Sequence, residues 1–182
     1  KKNRGHLERR VSKGQLTQEE MNAAVGRVRL EADLATAARD ADFVIEAIIE
    51  RLEPKKECFA KLDRFCPPHA LLATNSSTLG NSLLAPATRR PEKCVNMHFF
   101  YPPLVMKLVE VVQGQWTSEE TIQITCGVAN TIGRDPVILR KELPGFLVNR
   151  ILRAVQNEAY FLLEHGVASF PDIDKAVELG LN

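Results

Sequence analysis

Long hydrophobic runs are missing from this sequence. No stretch approaches the roughly 18 consecutive apolar residues that a membrane-spanning helix needs. The opening Lys1-Lys2-Asn3-Arg4-Gly5 has no apolar segment behind it, so no secretory leader is expected. Clustered cysteines are missing too. Cys58, Cys66, Cys94 and Cys126 are scattered without a C-x-x-C pair, which argues against a disulfide scaffold and reads as free, mostly buried thiols in a reducing compartment. An excess of one charge is also absent: at a formal net charge of +1, neither nucleic acid nor an anionic membrane is an expected partner. What remains is ordinary for a globular chain, 182 residues with 45% apolar and 26% charged, enough for one domain or for one and part of another. There is no internal repeat and no low-complexity segment.

The first thirty residues read as two helices: His6 to Lys13, closed by Gly14, and one opened by Thr17-Gln18-Glu19-Glu20, an S/T-x-x-E capping box. Phe43 to Ile49 is an apolar run of buried-strand length. Glu53-Pro54 opens a helix, since Pro loses nothing in a first turn. Strands are expected at His69 to Ala73, Lys93 to Met97, Lys107 to Val112 and Asp135 to Leu139. A helix between the last two is opened by a second capping box, Thr117-Ser118-Glu119-Glu120, and closed by Gly133. This alternation of strand and helix is the form of a parallel α/β sheet. The pattern changes at Glu142-Leu143-Pro144-Gly145, where a long helix, Phe146 to His165, begins, and Phe170-Pro171 opens another. The expected division is therefore an α/β domain over 1–143 and the start of an all-helical domain over 144–182.

Ligands bind beyond the carboxyl ends of the strands in open α/β sheets. Glu50, then Thr74-Asn75-Ser76-Ser77, then His98 fall at three successive strand ends. His98 sits among apolar and proline neighbours, which favours a neutral imidazole able to accept a proton. Twelve residues later Glu110 lies in the apolar strand Leu108-Val109-Glu110-Val111-Val112, where it either faces solvent or pairs with His98, orienting the ring and stabilising its protonated form. His6, His69 and His165 share no ligand-like spacing with His98, so no metal site is expected. Asn149, inside an apolar helix, either bonds the preceding turn or points into the cleft.

Four blocks carry a resemblance: Val44-Ile45-Glu46-Ala47-Ile48-Ile49-Glu50; Asn75-Ser76-Ser77-Thr78-Leu79; His98-Phe99-Phe100-Tyr101-Pro102 with Met106-Lys107-Leu108-Val109-Glu110-Val111; and Pro144-Gly145-Phe146-Leu147-Val148-Asn149-Arg150. In this order they resemble the 3-hydroxyacyl-CoA dehydrogenase family. The resemblance implies a Rossmann-like domain, NAD as cofactor, and oxidation of (S)-3-hydroxyacyl-CoA to 3-oxoacyl-CoA in fatty-acid or related acyl-CoA metabolism. It implies His98 as base, Glu110 as its acidic partner, Ser77 in contact with both substrate oxygen and cofactor, and Asn149 on the substrate oxygen. It also implies Glu50, Lys55 and Asn75 at the cofactor site, a helical arm over about residues 1–30 meeting CoA, Lys13 as its phosphate contact, and a homodimer formed through the helical domain. The compartment implied is the cytoplasm in a bacterium or the mitochondrial matrix in a eukaryote.

The chain departs from the family pattern in three ways. Tyr101 stands where Asn is usual, which implies an altered acyl pocket. The G-x-G-x-x-G turn with its following acidic residue is absent, and several C-terminal helices are absent, so the expectation is a fragment of a parent enzyme. Such a piece alone is expected to bind NAD weakly or not at all, to lack activity, and to self-associate through the helix from Phe146. The alternatives are another hydroxyacid dehydrogenase of this architecture, such as a gulonate dehydrogenase or a crystallin derived from one, and a non-catalytic structural homologue.

Overall fold

The computed structural model describes residues 2–181. It divides into two compact units, one running through Ala37 and one starting at Ala38. The first unit is a helical hairpin, α1 (Lys2–Ser12) and α2 (Gln18–Gly26). Gly14 adopts φ +66°, the left-handed conformation that closes a helix without a Cβ clash. Thr17 caps α2 as its spacing predicts. Its hydroxyl accepts the Glu20 N–H at 3.1 Å, and the Glu20 carboxylate accepts the Thr17 N–H at 2.8 Å. A short α3 (Leu34–Ala38) spans the division between the units.

The second unit is built on one five-stranded sheet. Its strands β1 (Phe43–Glu46), β2 (Leu71–Thr74), β3 (Cys94–Phe99), β4 (Leu108–Val112) and β5 (Asp135–Leu139) are arranged in sequence order. Helix α4 (Leu52–Phe65) connects β1 to β2, and α5 (Glu119–Thr131) connects β4 to β5. Three short 3-10 turns lie between β2 and β3. Beyond the sheet come α6 (Val148–Glu164) and α7 (Phe170–Gly180), the latter capped by Ser169 with Pro171 in its first turn.

The expected Rossmann-like α/β fold is present, but the sheet is not wholly parallel. β3 and β4 pair antiparallel, while the other three pairings are parallel. The cause is the connection, residues 100–107, which contains no helix and is shorter than the dozen or more residues a parallel crossover needs. Two other expectations are corrected. β1 ends at Glu46 rather than Ile49, because the Glu46 carboxylate folds forward to accept the Ile48 N–H at 2.6 Å. The second capping box does not form: Ser118 caps α5, accepting the Thr121 N–H at 3.1 Å. Thr117 is buried and donates its hydroxyl to Cys94 O at 2.7 Å, so it is not free to cap.

Alternation along the strands fills two cores. Leu72 and Cys94, register partners, face Phe59 and Leu62 of α4, while Ala73 and Val95 face the opposite cluster with Met97, Val109, Val111 and Ile122. The α4 face turns polar toward the carboxyl end of the sheet. Glu46, Thr74 and Asn96 are successive register partners, and all three are buried. Asn96 and His98, two residues apart on β3, share that face. The four cysteines are free, and burial pushes the Cys94 thiol up to about 11.

Candidate active site

His98 lies within β3, not beyond it, and its register partner on β4 is Glu110. Residues directly opposite in an antiparallel pair project to the same face at contact distance. His98 Nδ1 and Glu110 Oε2 are 2.8 Å apart, and both side chains are buried. The other oxygen, Oε1, accepts the backbone N–H groups of Leu147 at 3.1 Å and Val148 at 2.9 Å, at the amino end of α6. Burial alone would raise the Glu110 pKa, but the His98 bond and the two N–H groups bring it below the ordinary carboxylate value. Glu110 is therefore an ionised acceptor, which assigns the Nδ1 proton to His98 and leaves Nε2 as the basic nitrogen. Nε2 makes no hydrogen bond with any described residue and is not sealed away, since Asn81 Oδ1 is the only buried unpartnered side-chain atom among them. The rings of Phe100 and Phe146 flank the imidazole, with centroids 4.8 and 5.5 Å away.

The segment after β2 is held from every side. Glu50 accepts the Ser77 N–H at 3.1 Å, the Thr78 N–H at 3.2 Å, the Thr78 hydroxyl at 3.0 Å, and a short bond from the Ser76 hydroxyl. Burial works against its charge, but these bonds and that of Lys55 lower its pKa to about 2. Lys55 is buried. Its ammonium reaches Glu46 at 2.8 Å and Glu50 at 3.2 Å, so its charge is spent inside the protein. Thr74 donates to Glu46 at 2.7 Å, and Asn96 Nδ2 donates to Leu79 O at 3.1 Å while its Oδ1 accepts the Asn81 N–H at 2.7 Å. Asn75 Oδ1 accepts the Phe99 N–H at 2.9 Å, tying this segment to the end of β3. With so much backbone fixed, the half-buried Ser77 keeps a hydroxyl that has no partner among the described residues.

Asn149 is corrected in position. Gly145 and Phe146 take φ +82° and +50°, and α6 starts only at Val148, so Asn149 is in its first turn and not in a helix interior. Its amide makes no bond to a preceding turn. It lines a cavity of about 610 Å³ together with Thr78. A second cavity, about 370 Å³, opens at the carboxyl ends of β1, β2 and β3, between Ile45, Ala47, Asn75, Phe99 and Tyr101. Tyr101 is 91% exposed at its rim. No hydrogen bond joins His98 directly to Ser77 or Asn149. Lys13 is exposed in the first unit, and its side chain has no partner among the described residues. Sequence reasoning missed Glu46 and Asn96 as site residues, and it placed Thr74 and Ser76 at a strand end without giving either a role. The signal that exposed Glu110, a polar residue in an apolar strand, was also present at Glu46 and Asn96.

Comparison with known proteins decides the family. Residues 1–143 match the model of the 3-hydroxyacyl-CoA dehydrogenase NAD binding domain, and residues 145–182 match that of the C-terminal domain. The chain belongs to the 3-hydroxyacyl-CoA dehydrogenase family. A probable 3-hydroxybutyryl-CoA dehydrogenase of Bacillus subtilis is 42% identical over 97% of this chain and 61% of its own length. The 3-hydroxybutyryl-CoA dehydrogenase of Clostridioides difficile is 44% identical over 79% of this chain and 51% of its own. Among solved structures, the (S)-3-hydroxybutyryl-CoA dehydrogenase of Ralstonia eutropha superposes with a TM-score of 0.92 at 33% identity, covering 98% of this chain and 62% of that one. The chain thus spans between half and two thirds of the length of these family members.

Proposed function

We propose that this protein oxidises (S)-3-hydroxyacyl-CoA to 3-oxoacyl-CoA, with His98 as the base, Glu110 as its partner and NAD as the electron acceptor. The observation that carries the proposal is the buried His98–Glu110 bond with Nε2 left open. In this reading Nε2 takes the proton of the 3-hydroxyl, and the Glu110 carboxylate stabilises the imidazolium that results. NAD, when bound, supplies the acceptor for the hydride that leaves C3. The Ser77 hydroxyl and the Asn149 amide, both without partners among the described residues, hold the 3-oxygen as charge develops on it.

The residues present fit this cofactor. The cavity at the strand ends has apolar walls, the Asn75 amide with its Nδ2 unbonded, and no charged group, which suits a flat ring bearing a carboxamide. Glu50 and Lys55 serve that site by fixing the segment that carries Asn75 and Ser77. Tyr101 shapes the entrance, and Lys13 on the helical arm contacts a CoA phosphate. The division near residue 143, a homodimer formed through the helical part, and acyl-CoA metabolism in the cytoplasm or mitochondrial matrix belong to the same proposal. Apolar side chains exposed on α6 and α7, including Ile151, Tyr160, Phe170 and Leu179, support the dimer.

The test is to mix the purified full-length protein with NAD and (S)-3-hydroxybutyryl-CoA, and separately with NAD and gulonate, and to follow NADH. The expected result is turnover of the thioester alone. NADH formed only from gulonate overturns the substrate, and none from either overturns the reaction.

A further inference from the structure

We propose that the cavity beside Asn149 recognises an acyl chain ending in a carboxylate, with Arg153 as the group that holds it. This rests on the dehydrogenase reading and narrows its substrate class.

The cavity lies between Thr78 and one face of α6, which presents Asn149, Arg150, Arg153, Gln156 and Asn157 to it. Asn149, Arg153 and Gln156 follow the i, i+4, i+7 spacing of a single helix face. A site for a plain hydrocarbon tail would line that face with apolar side chains. Here, beside the apolar Leu152 and Ala154, the helix brings two guanidinium groups and three amides, and no carboxylate lines the cavity. Neither Arg150 nor Arg153 makes a hydrogen bond or ion pair with any described residue. The carboxylate bonded to the opposite wall, Glu50, is already satisfied by Ser76, Ser77, Thr78 and Lys55. The positive charge in the cavity therefore has no counterion among the described residues, and the planar fork of Arg matches a carboxylate in two-point geometry.

Position selects the source of the anion. A helix rises ~1.5 Å per residue, so Arg153 stands about 6 Å along α6 from Asn149. In the proposed reaction Asn149 holds the 3-oxygen, and that span corresponds to a few methylenes beyond C3. The phosphates of CoA are anions as well, but the whole pantetheine arm separates them from C3 on the thioester side.

The experiment compares kcat/KM for 3-hydroxyadipyl-CoA and 3-hydroxyhexanoyl-CoA, which share a six-carbon chain and differ in the terminal carboxylate. It is run on the full-length protein and on its Arg153→Gln variant. Wild type is expected to favour the charged substrate by roughly tenfold or more, the size of one charge-assisted contact, and Arg153→Gln to bring the ratio near one. Indifference of the wild type to the carboxylate overturns the proposal. So does an equal loss on both substrates, which assigns Arg153 to CoA or to folding. Failure to oxidise either substrate is a separate result, because it removes the dehydrogenase reading itself.

Discussion

Glu110 is fully enclosed, yet each of its oxygens has a donor: one faces the His98 ring, and the other takes two N–H groups of α6. Replacing it with Gln keeps the shape and removes the charge. Glu110→Gln is expected to cost about 2 kcal/mol of stability, a fall in Tm of roughly 4–8 °C for a chain of this size. In the same variant kcat should fall by at least about 10²-fold with little change in KM, because the imidazolium forms only along the reaction. Steady-state kinetics and a thermal melt check both. Glu50 makes a prediction about pH. Its folded pKa, about 2, lies below the ordinary 4.5, so it stabilises the fold fully above pH 4.5 and loses that contribution as the pH falls toward 2. The difference in urea stability between wild type and Glu50→Gln should thus be constant at neutral pH and shrink below 4.5. Much of this site was legible in the sequence, because a carboxylate in an apolar strand demands a partner and His98 lay within reach. The ion pair of Lys55 with Glu46 was not. It joins a helix to a strand end through the packing of α4 on the sheet, which no local spacing encodes.

At the scale of elements, one reversal of strand direction creates the dyad. Strand and helix alternation correctly indicated the sheet and its order of elements, but alternation does not report direction where a loop replaces a helix, as residues 100–107 do. In that antiparallel pair the register fixes His98 against Glu110. The start of α6 was misread for a related reason: apolar periodicity extends back to Phe146, whereas two consecutive left-handed residues delay the helix to Val148. Gly145 holds φ +82°, and a Cβ there would meet its nearest neighbour at an ordinary 3.6 Å. The cost of Gly145→Ala is therefore backbone strain alone, about 1–2 kcal/mol. Chemical denaturation should register that loss. Because α6 begins on Glu110, the same variant should also lower kcat, and an unaltered kcat would detach the helix start from the dyad.

At the scale of the whole molecule, the described chain combines an interior tied together by charged groups with helices that leave apolar side chains uncovered. Phe170 is 62% exposed and Leu179 72%, both on α7. The dimer proposal predicts that Phe170→Asp with Leu179→Asp shifts the sedimentation coefficient from dimer to monomer while the circular dichroism is kept. A wild-type protein already monomeric would remove the dimer from the account. No helix among the described residues is long and apolar enough to cross a membrane. The family assignment rests on models that together run through nearly the whole chain, and the activity proposed for this protein rests on one imidazole within it. The most direct measurement is therefore the turnover of NAD with (S)-3-hydroxybutyryl-CoA by the full-length protein and by its His98→Gln variant at neutral pH. The account predicts NADH from the wild type and a kcat lower by roughly 10²–10⁴-fold in the variant, with NAD binding retained. A variant that turns over at nearly the wild-type rate would contradict it.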